Sequence, residues 1–151
     1  IREPLWKDME DARTQMAYGL SVCDILKISD NEIQWFSGKE DYTEGIHMLQ
    51  QTYQIPLILL SMGKDGSRAY YKDMLVEVPA FLQKNTIETT GAGDTFGACC
   101  LHHILKYGLD NLTKQQLKEM LTFANAAASI ITTRKGALRV MPSLEEIQRL
   151  L

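Results

Sequence analysis

The stretch that most constrains the fold is Ile55-Pro-Leu-Ile-Leu-Leu60, an apolar run with no polar residue alternating through it. A strand with one wet face alternates apolar and polar side chains, because successive residues point to opposite faces. A short, uniformly apolar run therefore fits a strand, Pro56–Leu60, buried on both faces, and that requires helices covering a sheet. The flanking sequence supplies them. Residues 8–20 place Met9, Ala12, Met16 and Leu20 on one side at helical spacing, and a short strand follows over 24–28. Asn31 caps a brief helix that runs through Phe36 and stops at Gly38. Thr43 opens another, with Ile46, Leu49, Gln50 and Tyr53 on one face.

Beyond the apolar run, Gly63-Lys-Asp-Gly66 reads as a turn, and residues 67–71 and 74–78 as a hairpin ended by Pro79. Residues 81–90 are loop-like and lead into a helix from Gly91 to about Lys106. A last long helix, 117–131, carries two stripes. One is Leu117, Leu121, Ala124, Ala128 and Ile131; the other is Met120, Phe123, Ala127 and Ile130, which predicts burial on two sides. Ser143 with Glu146 forms a capping-box pattern for a terminal helix. The alternation of strands and helices around a buried strand predicts a layered α/β domain with a mostly parallel sheet. With no internal repeat, low-complexity tract or linker, the 151 residues read as one unit.

Composition excludes several classes. Apolar residues at 45% and charged residues at 23% are ordinary globular usage, which excludes a disordered chain. Sixteen Lys and Arg against 19 Asp and Glu leave a net charge of −3, with no basic surplus for a nucleic-acid backbone. No run approaches the roughly 18 apolar residues of a membrane span, and no secretory pattern opens the chain. Cys23, Cys99 and Cys100 are too few and too odd for a disulfide framework, so reduced thiols in a cytoplasmic protein are expected. Cys99, Cys100, His102 and His103 read as packing or surface residues, because the histidines lack metal-ligand spacing. The sequence begins at Ile1 rather than Met, which suggests a piece of something longer.

The chemistry concentrates in Thr89-Thr-Gly-Ala-Gly-Asp-Thr-Phe96, which runs directly into an apolar helix. A helix start carries unpaired N–H groups and partial positive charge, and small residues let an anion reach them. Asp94 falls in the first turn, where its carboxylate would compete with a phosphate unless it had another role. General-base chemistry is such a role, since a carboxylate there accepts a proton from an attacking hydroxyl while the amides hold the transferring group. The plain alternative is a tight turn whose Asp merely favours the helix dipole.

That string closely resembles the C-terminal signature of the ribokinase-like (PfkB) carbohydrate kinases, and further matches follow in the family's order. Arg2-Glu-Pro-Leu-Trp6 resembles the segment after the central D-x-N-x-R strand, especially in the fructokinase branch. Lys27-Ile-Ser-Asp-Asn-Glu32 is similar to that branch's K-x-S-x-x-E, and Ser61-Met-Gly-Lys-Asp-Gly66 to its [ST]-x-G-x-x-G turn. Asn125-Ala-Ala-Ala-Ser129 and Arg134-Lys-Gly-Ala137 resemble the adenine-side helix and the loop after it. The resemblance implies a ribokinase-like three-layer α/β/α domain, C-terminal part only: residues 1–151 are the nucleotide-binding and catalytic portion. On this resemblance, the N-terminal sugar-binding half and its β-lid are expected to be absent from these residues.

The resemblance also implies roles. Asp94 is the catalytic base; Gly91, Ala92, Gly93 and the Asp94 backbone form the anion hole. Lys27, Ser29, Ser61, Gly63, Gly66, Asn125 and Gly136 lie on the nucleotide side, with Asn125 facing adenine or bonding a neighbouring loop backbone. Arg2, with Asp94, serves the sugar. Glu32 organises the Mg²⁺ that accompanies ATP, although Ser29 stands where many relatives carry Asn. Glu88 replaces the usual Asp of a monovalent-cation (K⁺) site shared with Thr90 and the backbone of Ile131, Arg134 and Gly136. The longer side chain either alters that site or abolishes it. The implied partners are ATP and a small sugar, in a parent enzyme for which a homodimer is one expectation. The implied reaction is ATP-dependent phosphorylation of D-fructose to fructose 6-phosphate, with ribose, 2-keto-3-deoxygluconate and aminoimidazole riboside as rival acceptors. A nucleotide-binding module without catalysis is the rival of another class.

Overall fold

A computed structural model describes residues 3–151; Arg2 lies outside them. The elements are α1 (Met9–Val22), β1 (Ile25–Ser29), α2 (Asp30–Ser37), α3 (Tyr42–Tyr53), β2 (Leu57–Ser61), β3 (Ser67–Tyr71), β4 (Met74–Val78), α4 (Ala92–Tyr107), α5 (Lys114–Ile131) and α6 (Leu144–Leu150). The strands are hydrogen-bonded in the order β1-β2-β3-β4. The Leu57 N–H donates to the Asp24 carbonyl at 3.4 Å, so β1 and β2 start side by side and run parallel. The β2–β3 and β3–β4 connections are too short to return the chain to the same end, so those pairs are antiparallel. The sheet is mixed over the portion this chain spans. Two compact units divide the chain, one of residues up to 60 with 70–73, the other of 61–69 with 74–151.

In the first unit, Leu57 to Leu60 are all buried, as the unalternating run predicts. Each such side chain contributes about 1.5–3 kcal/mol of burial free energy. Ala12, Ile33, Ile46 and Leu49 complete this core with no exposed surface. The cap of α2 is Ser29 rather than Asn31. Ser29 Oγ accepts from the Glu32 N–H at 3.3 Å and Glu32 Oε2 accepts from the Ser29 N–H at 2.9 Å, closing a capping box. The box satisfies two helix-start donors at once, which a lone Asn31 would not. Asp41 caps α3 two residues ahead of the expected Thr43. Gly38 ends α2 at φ 68°, a left-handed turn glycine adopts freely.

The second unit is organised by α5. It opens at Lys114, earlier than expected, because Thr113 and Gln116 form a capping box ahead of the apolar stripe. Both stripes pack inward, with Ala128 of the first and Phe123 and Ile130 of the second only half-buried. Ala126 and Ala127 meet Ile147 of α6, with Phe81, Cys99, Phe123 and Ile130 around them. Burial pushes the Cys99 thiol up to about 11 and the Cys100 thiol higher, so neither forms a thiolate near neutral pH. His103 Nδ1 lies 3.0 Å from the Cys99 carbonyl, with its ring beside Phe123. Ser143 and Glu146 close the expected box on α6. Among the described residues no helix is long and apolar enough to cross a membrane.

Candidate active site

The mouth of α4 is built by a single left-handed residue. Gly91 caps the helix at φ 79°, where a side chain is strained, and a Cβ there would come within 3.1 Å of Ile131 and 3.3 Å of Ala137. The Thr95 N–H closes the first turn on the Gly91 carbonyl at 2.8 Å, and the Ala92 N–H donates to Thr89 at 3.1 Å. Ala92 therefore offers no free donor. The N–H groups of Gly93 and Asp94 bond to no acceptor among the described residues. Both residues are exposed. Asp94 points neither into packed interior nor onto a partner side chain, so its carboxylate stands in solvent beside two free amides at the positive end of a 16-residue helix.

A cavity of about 320 Å³ opens in the same unit. Ser61 lines it from the end of β2, Gly63, Lys64 and Gly66 from the β2–β3 connection, and Phe81, Leu82 and Gln83 from the loop after β4. Ala92, Gly93 and Phe96 line it from α4, and Asn125, Ala128, Ser129 and Thr132 from α5 and its end. Six of the expected residues thus meet here: Ser61, Gly63, Gly66, Ala92, Gly93 and Asn125. Gly66 has a second reason to be glycine. At φ 97° its absent Cβ would sit 2.2 Å from the Val78 carbonyl oxygen and 2.9 Å from Pro79 backbone atoms. Asn125 takes the loop-backbone option. Its Nδ2 donates to the Val78 and Pro79 carbonyls at 3.2 and 3.0 Å. Both amide hydrogens are thereby engaged, so Oδ1 is the atom it has left to offer the cavity, as an acceptor.

Gly91 and Asp94, like Glu88, Thr90 and Gly136, lie outside the cavity lining. Glu88 Oε1 accepts from the Gly136 N–H at 2.6 Å, and the Ile87 and Glu88 N–H groups donate to the Thr132 carbonyl at 2.8 and 3.3 Å. The Ile131 carbonyl accepts from the Arg134 N–H at 3.1 Å. Glu88 and the loop after α5, expected to share a cation, are here joined directly. Lys27, Ser29 and Glu32 belong to the first unit. Burial alone would raise the Glu32 carboxyl, but the Ser29 backbone N–H and hydroxyl, with the Lys27 charge, hold it below the usual range. No group of three or more His, Cys, Asp and Glu side chains among the described residues is arranged to cage a metal ion.

Sequence reasoning missed Lys64, the loop residues Phe81 and Gln83, and the α5 residues Ala128, Ser129 and Thr132. The α5 set was findable: 125, 128, 129 and 132 share one helical face with Asn125. The loop residues carried no periodicity, and Gln83 is placed by a bond from its Nε2 to Ser129 Oγ at 3.1 Å.

A helix mouth with two free amides thus stands beside a lone carboxylate on a mixed α/β scaffold. The profile of pfkB family carbohydrate kinases matches residues 1–144, and the chain belongs to that family. It is 33% identical to Fructokinase-1 of Zea mays over 100% of this chain and 46% of the relative. It is 34% identical to the fructokinase of Klebsiella pneumoniae over 99% of this chain and 48% of the relative. The chain spans about half the length of the curated relatives it matches. The fructokinase of Vibrio cholerae O395, in its fructose-, ADP- and calcium-bound form, superposes with a TM-score of 0.89 at 25% identity, over 100% of this chain and 48% of that one. The aminoimidazole riboside kinase of Salmonella enterica, complexed with its riboside and an ATP analogue, gives 0.85 at 23% identity over 99% and 49%; this second likeness shows the fold alone. The ribokinase-like fold expected from the signature is the fold of this chain.

Proposed function

We propose that this chain is the nucleotide-side half of an ATP-dependent sugar kinase acting on D-fructose, with Asp94 as general base. The observation that carries the reading is the exposed Asp94 carboxylate beside the unbonded N–H groups of Gly93 and Asp94. Phosphoryl transfer asks for positioning and charge stabilisation more than covalent chemistry. The α4 mouth supplies donors aimed at negative charge, and Asp94 takes the proton as the acceptor hydroxyl oxygen bonds to phosphorus and ADP leaves. The cavity accommodates the nucleoside: its volume of about 320 Å³ is at the small end of ligand sites, commonly about 300–1,000 Å³. Phe81 and Ala128 offer apolar walls for a base, Asn125 Oδ1 an acceptor for its amine, and Lys64 a cation. Mg²⁺ supplies charge neutralisation when bound with the nucleotide, and it commonly uses phosphates and water with one or two carboxylates rather than a protein cage. The preference for fructose over other sugars rests on the fructokinase relatives, not on a sugar contact in this chain.

The test is ADP release by a full-length protein carrying this chain, with fructose, ribose, 2-keto-3-deoxygluconate and aminoimidazole riboside as acceptors. Fructose is expected to give the highest kcat/KM. Asp94→Asn is expected to lower kcat by about 10²–10⁴-fold while sparing ATP affinity. An unimpaired rate in that variant removes the base assignment. For the 151 residues alone, their coverage of less than half of the Zea mays and Klebsiella pneumoniae fructokinases favours a second reading, a module that binds nucleotide without turnover.

A further inference from the structure

The mouth of α4 is anchored from an element that the kinase reading does not use. Glu146, in the first turn of α6, divides its carboxylate between two partners. Oε2 accepts from the Ser143 N–H at 2.8 Å and closes the capping box, while Oε1 accepts from Arg134 Nη2 in a close ion pair. The same guanidinium donates through Nη1 to the Val140 carbonyl at 3.0 Å. Arg134 thus fastens both ends of the loop after α5, its own position and Val140, to the start of α6. Between those points lie the two residues that reach back to α4. Gly136 donates its N–H to Glu88 Oε1 at 2.6 Å, just ahead of the glycine-rich string. Ala137 lies where a Gly91 Cβ would approach it within 3.3 Å.

We infer that Arg134 is a positioning residue: its fork, held by Glu146, clamps the Gly136–Ala137 segment onto Glu88 and Gly91 and thereby fixes where the Gly93 and Asp94 amides sit. The fork geometry matters, because the guanidinium presents separate nitrogens, Nη1 and Nη2, to Val140 and Glu146, whereas an ammonium would have to serve both from one nitrogen. The consequence for nucleotide affinity rests on the function proposed above; the clamp itself does not. Arg134 touches no cavity surface, so its effect on phosphate binding is wholly indirect.

The experiment uses the 151-residue chain and its amide spectrum. Arg134→Gln is expected to raise Gly136 amide exchange at least tenfold, through the loss of one charge-assisted bond and one bond to a carbonyl. It is also expected to shift the Gly93 and Asp94 amide resonances, with amides of α1 unchanged as a control against general destabilisation. Glu146→Gln, which keeps the capping box, moves the same resonances less. Arg134→Lys behaves like Arg134→Gln. Changes confined to residues 134–147, with Gly93 and Asp94 unmoved, overturn the inference, and so does a Lys variant indistinguishable from the unaltered chain. Titration with ADP separates the two claims. If the Gly93 and Asp94 resonances move in the variants while ADP affinity holds, the clamp stands and the phosphate role of those amides fails. A several-fold loss of affinity in step with the shifts supports both.

Discussion

Replacing Gly66 by Ala tests how the turn after β2 is held. At φ 97° and ψ −142° Gly66 occupies backbone space that only glycine enters without strain, and a Cβ adds about 1–3 kcal/mol there. The clash adds to this strain, because the atom met at 2.2 Å is the Val78 carbonyl oxygen, with Pro79 backbone at 2.9 Å. No side chain can rotate away, so the end of β4 must move. Val78 and Pro79 are the two carbonyls that hold Asn125 Nδ2, at 3.2 and 3.0 Å, and each bond contributes about 1 kcal/mol. The expected loss is about 3–5 kcal/mol, a large share of the roughly 5–15 kcal/mol that stabilises a domain. Gly63, in the same turn, is the control. At φ 53° with nothing within 4 Å of a Cβ, Gly63→Ala is expected to cost about 1 kcal/mol. Urea unfolding midpoints read the difference, provided the m-value is unchanged. A Gly66→Ala chain within about 1 kcal/mol of Gly63→Ala would refute the claim that backbone approach sets this position.

Asn125→Asp places a carboxylate oxygen against the Val78 and Pro79 carbonyls in place of a donor, and is expected to destabilise by about 2–4 kcal/mol, read by the same unfolding midpoints. Glu32 contributes stability that is fully present above the unfolded carboxyl's range near pH 4–5 and is lost as pH falls through its depressed folded value. Glu32→Gln keeps an acceptor for the Ser29 N–H, so the midpoint-against-pH curve is expected to flatten below pH 5; an unchanged slope counts against the assignment. The 151-residue chain without an upstream half is expected to show negligible fructose-dependent ADP release, and robust turnover by it alone would show that the sugar contacts lie within these residues.

Much of the fold was legible because its signals were local. The unalternating run at residues 55–60 announced a doubly buried strand, and the hairpin at 67–71 and 74–78 fell where turn residues bracket two short strands. The errors fell at helix starts. Polar residues carry no periodicity, so the apolar stripe marks Leu117 as the start of α5, although Thr113 and Gln116 have already closed its first turn. The mixed direction of the sheet was present in the connection lengths, since the β2–β3 and β3–β4 links are too short for crossovers. The cavity was less legible, because Gln83 reaches it through a bond to a residue 46 positions away.

Among the candidate residues, the sequence could not separate those already occupied from those left free, and that distinction is the one that bears on function. Ser29 and Glu32 spend their polar atoms on capping α2, Asn125 spends its two hydrogens on β4, and Glu88 spends an oxygen on Gly136. Each has a structural reason to be the residue it is, whatever else it binds. Asp94 has none of comparable weight: an exposed carboxylate at a helix start contributes a few tenths to about 1 kcal/mol through the dipole, and many polar residues would serve. The Gly93 and Asp94 amides likewise find no acceptor among the described residues. Gly91, close to Ile131 and Ala137, takes its left-handed φ as freely as Gly38 does, and it leaves a pair of solvated donors beside an unpaired acid. Stability alone does not call for that arrangement, whereas an external anion would use those donors, and the weight of the kinase reading therefore rests on the α4 mouth.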